Sequence, residues 1–158
     1  MVSMEREKMD GKKVNIESLL REGKTVQIFP QGFSMYPMLV PGRDEAVIAA
    51  ADTEKLHRGD VALYRRKSGL LVLHRIWKKK KDGFYMVGDH QTQIEGPIEP
   101  EQFVAVLVAF VRKGRRIDVK NPMYRAAAGL WLLLRPMRRA FMAAGAAVKK
   151  GMKIHGAG

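Results

Sequence analysis

Leu70-Leu71-Val72-Leu73-His74-Arg75-Ile76-Trp77 is the stretch that decides how this chain folds. Branched, aliphatic and aromatic side chains dominate it. Read with a period of two, it puts Leu71, Leu73 and Arg75 on one face and Val72, His74 and Ile76 on the other. That pattern is a strand, and a histidine set in its apolar face is either a hydrogen-bonded core residue or a base. Working outward, Thr25–Phe29, Glu45–Ala50, Val61–Arg65, Phe84–Val87, Phe103–Val111 and Arg116–Val119 share its composition and are bounded by Gly, Pro or Asp. Seven short strands separated by turns predict a mainly β fold, a barrel or a sandwich. Lys78–Lys81 followed by Asp82-Gly83 reads as a solvated hairpin tip, because Asp-Gly supplies the positive φ of tight turns.

The pattern changes at both ends of this β body. Ile16, Leu19 and Leu20 have helical spacing behind a potential Asn15 cap, which predicts a short helix from Asn15 to Arg21 that Gly23 ends. Asn121-Pro122 joins an N-cap to a proline at the first helical position and opens a helical tail. The expected organisation is an N-terminal segment and short helix (1–22), a β domain (23–120) and a basic amphipathic tail (121–158). In the tail Leu130, Leu133, Leu134, Met137, Phe141 and Val148 form one helical stripe, with Arg135, Arg139 and Lys150 opposite. Pro136 removes a backbone donor and is predicted to kink or divide the helix.

With 158 residues of which 46% are apolar, the chain can bury one ordinary core. The net charge of +13 calls for an anionic partner, nucleic acid or an anionic membrane surface. Residues 121–158 hold seven basic side chains (Arg125, Arg135, Arg138, Arg139, Lys149, Lys150, Lys153) and no acidic one, so the charge is concentrated. Aromatic residues do not interleave with the lysines as stacking platforms would, which disfavours nucleic acid. The tail is expected either to dock on anionic lipid through residues 121–153 as an in-plane helix or to pack on the β body. The absence of cysteine excludes disulfides and thiolate chemistry, and the four histidines show no metal-ligand spacing, so neither metal nor cofactor is expected. Met1–Lys13 mixes both charges with no apolar run, and Ala126–Leu134 falls short of the roughly 20 residues of a spanning helix. The expectation is a chain without signal peptide or membrane span, cytoplasmic or peripheral on a membrane.

The chemistry is concentrated in Gln31-Gly32-Phe33-Ser34-Met35-Tyr36-Pro37-Met38-Leu39. A serine on a tight turn after a strand, among apolar side chains, presents a hydroxyl that needs a base to become a nucleophile. His74 is the candidate base.

Taken together, these segments resemble the serine peptidase superfamily that joins type I signal peptidases with LexA-like self-cleaving repressors. Ser34-Met35-x-Pro37-x-Leu39 is similar to its nucleophile box, and Pro41-Gly42-Arg43-Asp44 to the turn that follows. Gly59-Asp60-Val61 resembles the opening of the next strand, Leu73-His74-Arg75-Ile76 the position of the base, and Gly88-Asp89 the last box. The resemblance spans about Gly23 to Val119. Histidine rather than lysine at the base position points to the Ser/His branch of archaeal and endoplasmic-reticulum signal peptidases. It implies a signal-peptidase-like β domain and a serine endopeptidase that cleaves a precursor peptide or protein after small residues through a Ser34 acyl-enzyme. It also implies that Asp89 or Glu95 orients His74, and that Gly32, Phe33, Met35, Tyr36 and Met38 supply the oxyanion and substrate surface. Two departures stand out. Gly32 occupies a position where many relatives carry a serine or threonine donor, and His90 replaces the usual asparagine after Gly-Asp. A LexA-like self-cleaving module and a non-catalytic basic binding module are the alternatives. For His57 and His155 a solvated role is expected.

Overall fold

The computed structural model describes residues 16–137, and over them the alternating apolar residues build a mainly β structure. Eight strands form one antiparallel sheet: β1 Val26–Ile28, β2 Asp44–Ala50, β3 Val61–Arg65, β4 Leu71–Lys80, β5 Gly83–Val87, β6 Glu95–Ile98, β7 Phe103–Arg112 and β8 Arg115–Asp118. Their order is β1-β2-β7-β3-β4-β5-β6, with β8 hairpinned onto the end of β7. Of the two forms expected, barrel or sandwich, the sheet is not closed into a barrel, because β1 and β6 end it without pairing to each other. Both edges are short, and Pro97 in β6 lacks the donor that another strand would need.

The centre of the sheet is buried on both faces. Leu71 and Leu73 of β4 join Ile28, Met35, Leu39, Val61, Leu63 and Leu107 in one core, whereas Val72 and Ile76 join Ala62, Tyr64, Phe84, Met86 and Ile98 in the other. The period-two reading of β4 therefore separates two cores. Each large aliphatic side chain so enclosed contributes roughly 1.5–3 kcal/mol, which is why β3 and β4 can carry polar groups at the same depth.

Two local expectations are corrected. Lys78, Lys79 and Lys80 continue β4 instead of forming a loop; the turn is Lys81-Asp82, and Gly83 with φ 131° opens β5. Two of the lysines gain by staying in the strand, because their ammonium groups lie over aromatic rings of β5, Lys79 Nζ over Phe84 and Lys80 Nζ over Tyr85. β6 was not anticipated, since its Glu-Gly-Pro-Ile sequence reads as a turn; at an edge the proline is harmless.

The short helix α1 spans Ile16–Arg21, and the tail helix α2 spans Pro122–Leu133. Asn121 Oδ1 caps α2 by accepting from Met123 N–H (2.9 Å) and Tyr124 N–H (3.3 Å). The helix breaks at Leu134, two residues before Pro136, and a helical turn resumes at Arg135. Its buried face is Ala128 and Leu132, with Tyr124 packed on Phe110. Of the anticipated stripe, Leu130, Leu133 and Met137 are exposed, as is Met123. Asn15, Arg138, Arg139, Phe141, Val148, Lys149, Lys150, Lys153, His155 and the segment Met1–Lys13 lie outside the described residues. Among the described residues no helix is long and apolar enough to cross a membrane.

Candidate active site

Ser34 sits on the turn-rich connection between β1 and β2. Within it Tyr36 N–H donates to Phe33 O (3.1 Å) and Leu39 N–H to Met35 O (2.8 Å), so the segment folds on itself. Met35 and Leu39, 3% and 1% exposed, anchor it in the first core. Phe33 and Tyr36 are exposed, and Met38 is half-buried. Gly32 adopts φ 75°, a left-handed conformation that a serine or threonine would occupy only under strain, which accounts for glycine at this position. No hydrogen bond among the described residues takes up the Ser34 N–H, so it remains available as a donor. The exit of the loop is clamped by buried Asp44, which accepts from Arg112 Nε (2.7 Å), Arg43 Nη2 (2.7 Å) and Val40 N–H (2.9 Å). Burial alone would raise the Asp44 pKa, but these bonds outweigh it and hold the carboxyl at about 2.

The Gly88-Asp89-His90 segment closes over this loop. His90 N–H donates to Ser34 O (2.8 Å), and the His90 ring meets Tyr36 edge-on at 5.6 Å. A Cβ on Gly88 would lie 2.6 Å from Ser34 O, so the glycine is what allows the approach. Asp89 is paired with Arg75. Its two carboxylate oxygens accept from Arg75 Nε (2.8 Å) and Nη2 (2.7 Å), and both side chains of this pair are fully buried. Burial would lower the Arg75 pKa, yet Asp89 raises it, and Arg75 also donates to Gly59 O (2.7 Å). The pair therefore ties the two Gly-Asp boxes together. In the first of them, Asp60 accepts from His57 N–H (2.8 Å), and the His57 ring is exposed. From the tail, Trp131 Nε1 donates to Asp89 O (2.9 Å) and Arg135 to Thr92 O (2.6 Å).

His74 is only 2% exposed and lies on the other face of β4. Its Nδ1 is 3.2 Å from Tyr64 Oη, and Tyr64 O–H donates to Glu95 Oε2 (2.9 Å). Arg66 Nε holds the other carboxylate oxygen of Glu95 at 2.7 Å. Burial raises the Glu95 pKa, but the bonds from Arg66 and Tyr64 prevail and lower it, so the group is a carboxylate. Burial lowers His74 to about 4 against the opposing pull of Glu95, so the imidazole is neutral near pH 7. Its Nε2 is buried and has no hydrogen-bond partner among the described residues.

The structure thus gathers the candidates into two groups. The Ser34 carbonyl meets Gly88 and the His90 N–H, and His74 is joined to Glu95 through Tyr64. No hydrogen bond links Ser34 to His74. Tyr64, Arg66 and Arg75 were missed. The signal for Tyr64 lies in the β3–β4 hairpin: pairing Ala62 with His74 and Tyr64 with Val72 makes Tyr64 a diagonal neighbour of His74 on the same face. A groove of about 560 Å³ lined by α1, Arg65, Lys67 and Gln102 contains neither Ser34 nor His74. No protein-family model, curated protein or solved structure matches this chain.

Proposed function

We propose that the chain is a serine endopeptidase of the signal-peptidase type, that its β body has that family's fold, and that it cleaves a precursor peptide or protein after small residues. The observation that carries this reading is the neutral, buried His74 whose Nε2 has no partner among the described residues. A satisfied core histidine would use both nitrogens; this one keeps one in reserve. Ser34 Oγ adds to the scissile carbonyl carbon as its proton passes to Nε2, once substrate has brought the hydroxyl within reach. The Ser34 N–H and its neighbours meet the oxyanion. Collapse expels the amine, which takes the proton from Nε2, and a water activated by the same nitrogen hydrolyses the acyl-enzyme. Phe33, Tyr36 and Met38 supply apolar surface beside the scissile bond.

Mass spectrometry of the full chain incubated with a panel of signal-peptide precursors tests this. Cleavage after a small residue is expected, and Ser34→Ala and His74→Ala should each abolish it. Precursors left intact by the wild type, or cut equally by the variants, refute the assignment.

The partner proposed for the tail is an anionic membrane surface. The outward Met123, Leu130, Leu133 and Met137 combine with seven basic residues and no acidic one in 121–158. That pairing of apolar and cationic side chains matches an interfacial helix.

A further inference from the structure

The connection between Glu95 and His74 runs through a single phenol, and that settles which imidazole nitrogen carries the proton. Tyr64 has one O–H hydrogen. Its oxygen lies 2.9 Å from Glu95 Oε2 and 3.2 Å from His74 Nδ1. Glu95 is ionised and can only accept, so the phenolic hydrogen points to it. What remains on the phenol facing Nδ1 is lone pair, so the hydrogen between them must belong to Nδ1. The neutral ring then has its own lone pair on Nε2, the atom left without a partner. Tyr64 and His74 are both buried, at 0% and 2% exposure, so no solvent competes at this contact. Arg66 and Glu95 reach the surface, with side chains 37% and 29% exposed.

We infer that Tyr64 is the positioning residue of this site: it fixes His74 as the Nδ1–H tautomer and so makes Nε2 the base. The inference rests on the peptidase reading for its role in turnover, but the tautomer itself is independent of that reading. Tyr64 does for His74 what a directly bonded carboxylate does in a Ser-His-Asp arrangement, with Glu95 acting one bond further away. This also explains how Asp89 can be committed to Arg75 while His74 still has an orienting group.

The experiment is long-range 1H–15N NMR of the histidine-labelled full chain at neutral pH, with the His74 signals identified by their loss in His74→Gln. The expected pattern has the proton on Nδ1. Tyr64→Phe keeps the ring in place and removes the acceptor; it should give an Nε2–H or mixed population and lower kcat on a cleaved precursor by ~10-fold or more with KM unchanged, as expected of a base in the wrong tautomer. Glu95→Gln, which weakens the hold on the phenolic proton, should give an intermediate shift and serves if Tyr64→Phe does not fold. An Nε2–H tautomer in the wild type overturns the proposal. So does an Nδ1–H tautomer that survives both substitutions with kcat unchanged. The expected NMR pattern in a wild type that cuts no precursor upholds the role of Tyr64 in setting the tautomer and refutes the peptidase reading alone.

Discussion

Removing an imidazole from water penalises its protonated form, and for His74 this penalty has a defined pH range. The folded pKa of about 4 lies below the ordinary value of 6.5. Between those values the unfolded chain binds a proton that the folded chain refuses, so folding is favoured less as pH falls. The contribution is complete above 6.5, declines toward 4 and is level below it, on the order of 3 kcal/mol in all. Urea denaturation at pH 7, 5 and 4 should show this loss in the wild type and a smaller one in His74→Gln. Asp44, held at about 2, loses its own contribution only at still lower pH, from 3.8 down to its folded value. For turnover the same shift predicts that kcat/KM keeps its base down to about pH 4. An acid limb near 6.5 in the pH–rate profile would contradict the burial argument. At this scale the sequence singled out His74 and Glu95, which the fold joins through Tyr64, and Ser34, which it places on a separate loop. It did not reveal that Asp89 belongs to Arg75, because both residues were plausible alone and only the fold decides which charges meet.

Elements explain why the serine loop stays in place. It is held between the Asp44 clamp at its exit and the Gly88–His90 segment above it, and the second contact has no room for a side chain. Gly88→Ala should push the Ser34 carbonyl aside, at a cost of about 1–3 kcal/mol in stability and roughly 100-fold in kcat/KM. Thermal denaturation together with precursor cleavage measures both; a variant with unchanged kinetics would show that the contact does not set the position of Ser34. The strands most visible in the sequence, β3 and β4, are those in which apolar residues fill both cores. β6 stayed hidden because an edge strand needs neither alternation nor a full set of donors, and the lysine part of β4 because its strand character comes from rings on β5. The tail helix was legible in position, but which of its faces meets the sheet was not. Counting apolar residues finds the larger stripe, whereas docking on the sheet selected Tyr124, Ala128 and Leu132, which fit closely beneath it.

At the scale of the whole molecule, exposed apolar side chains and the densest basic sequence fall in the same C-terminal region. The sheet buries its apolar residues in two cores, yet α2 turns Met123, Leu130 and Leu133 outward, and Met137 just beyond it is exposed as well, in the most basic part of the sequence. Sedimentation with vesicles containing anionic lipid should show binding that weakens as salt is raised, because screening reduces the attraction of the basic groups. Leu130→Asp together with Leu133→Asp should lower the bound fraction about tenfold while changing stability by roughly 0.5 kcal/mol or less, since both side chains already face water. No sedimentation of the wild type with the vesicles would remove the membrane from the list of partners, and equal binding of the double variant would show that Leu130 and Leu133 are not what meets it. An open sheet, unlike a barrel, leaves β1 and β6 as termini, and the proline in β6 together with the brevity of both strands guards them against pairing with another copy.

The bond from Trp131 to the Asp89 carbonyl gives the molecule an optical consequence. Only two tryptophans are present, and the other, Trp77, has the Arg135 guanidinium over its ring at 5.2 Å. In a Trp77→Phe background the single remaining indole sits on the helix that carries the exposed apolar stripe and grips the segment that holds the serine loop. Its emission reports from one position on whatever approaches either side, so lipid contact and precursor binding become readable as light from the same residue.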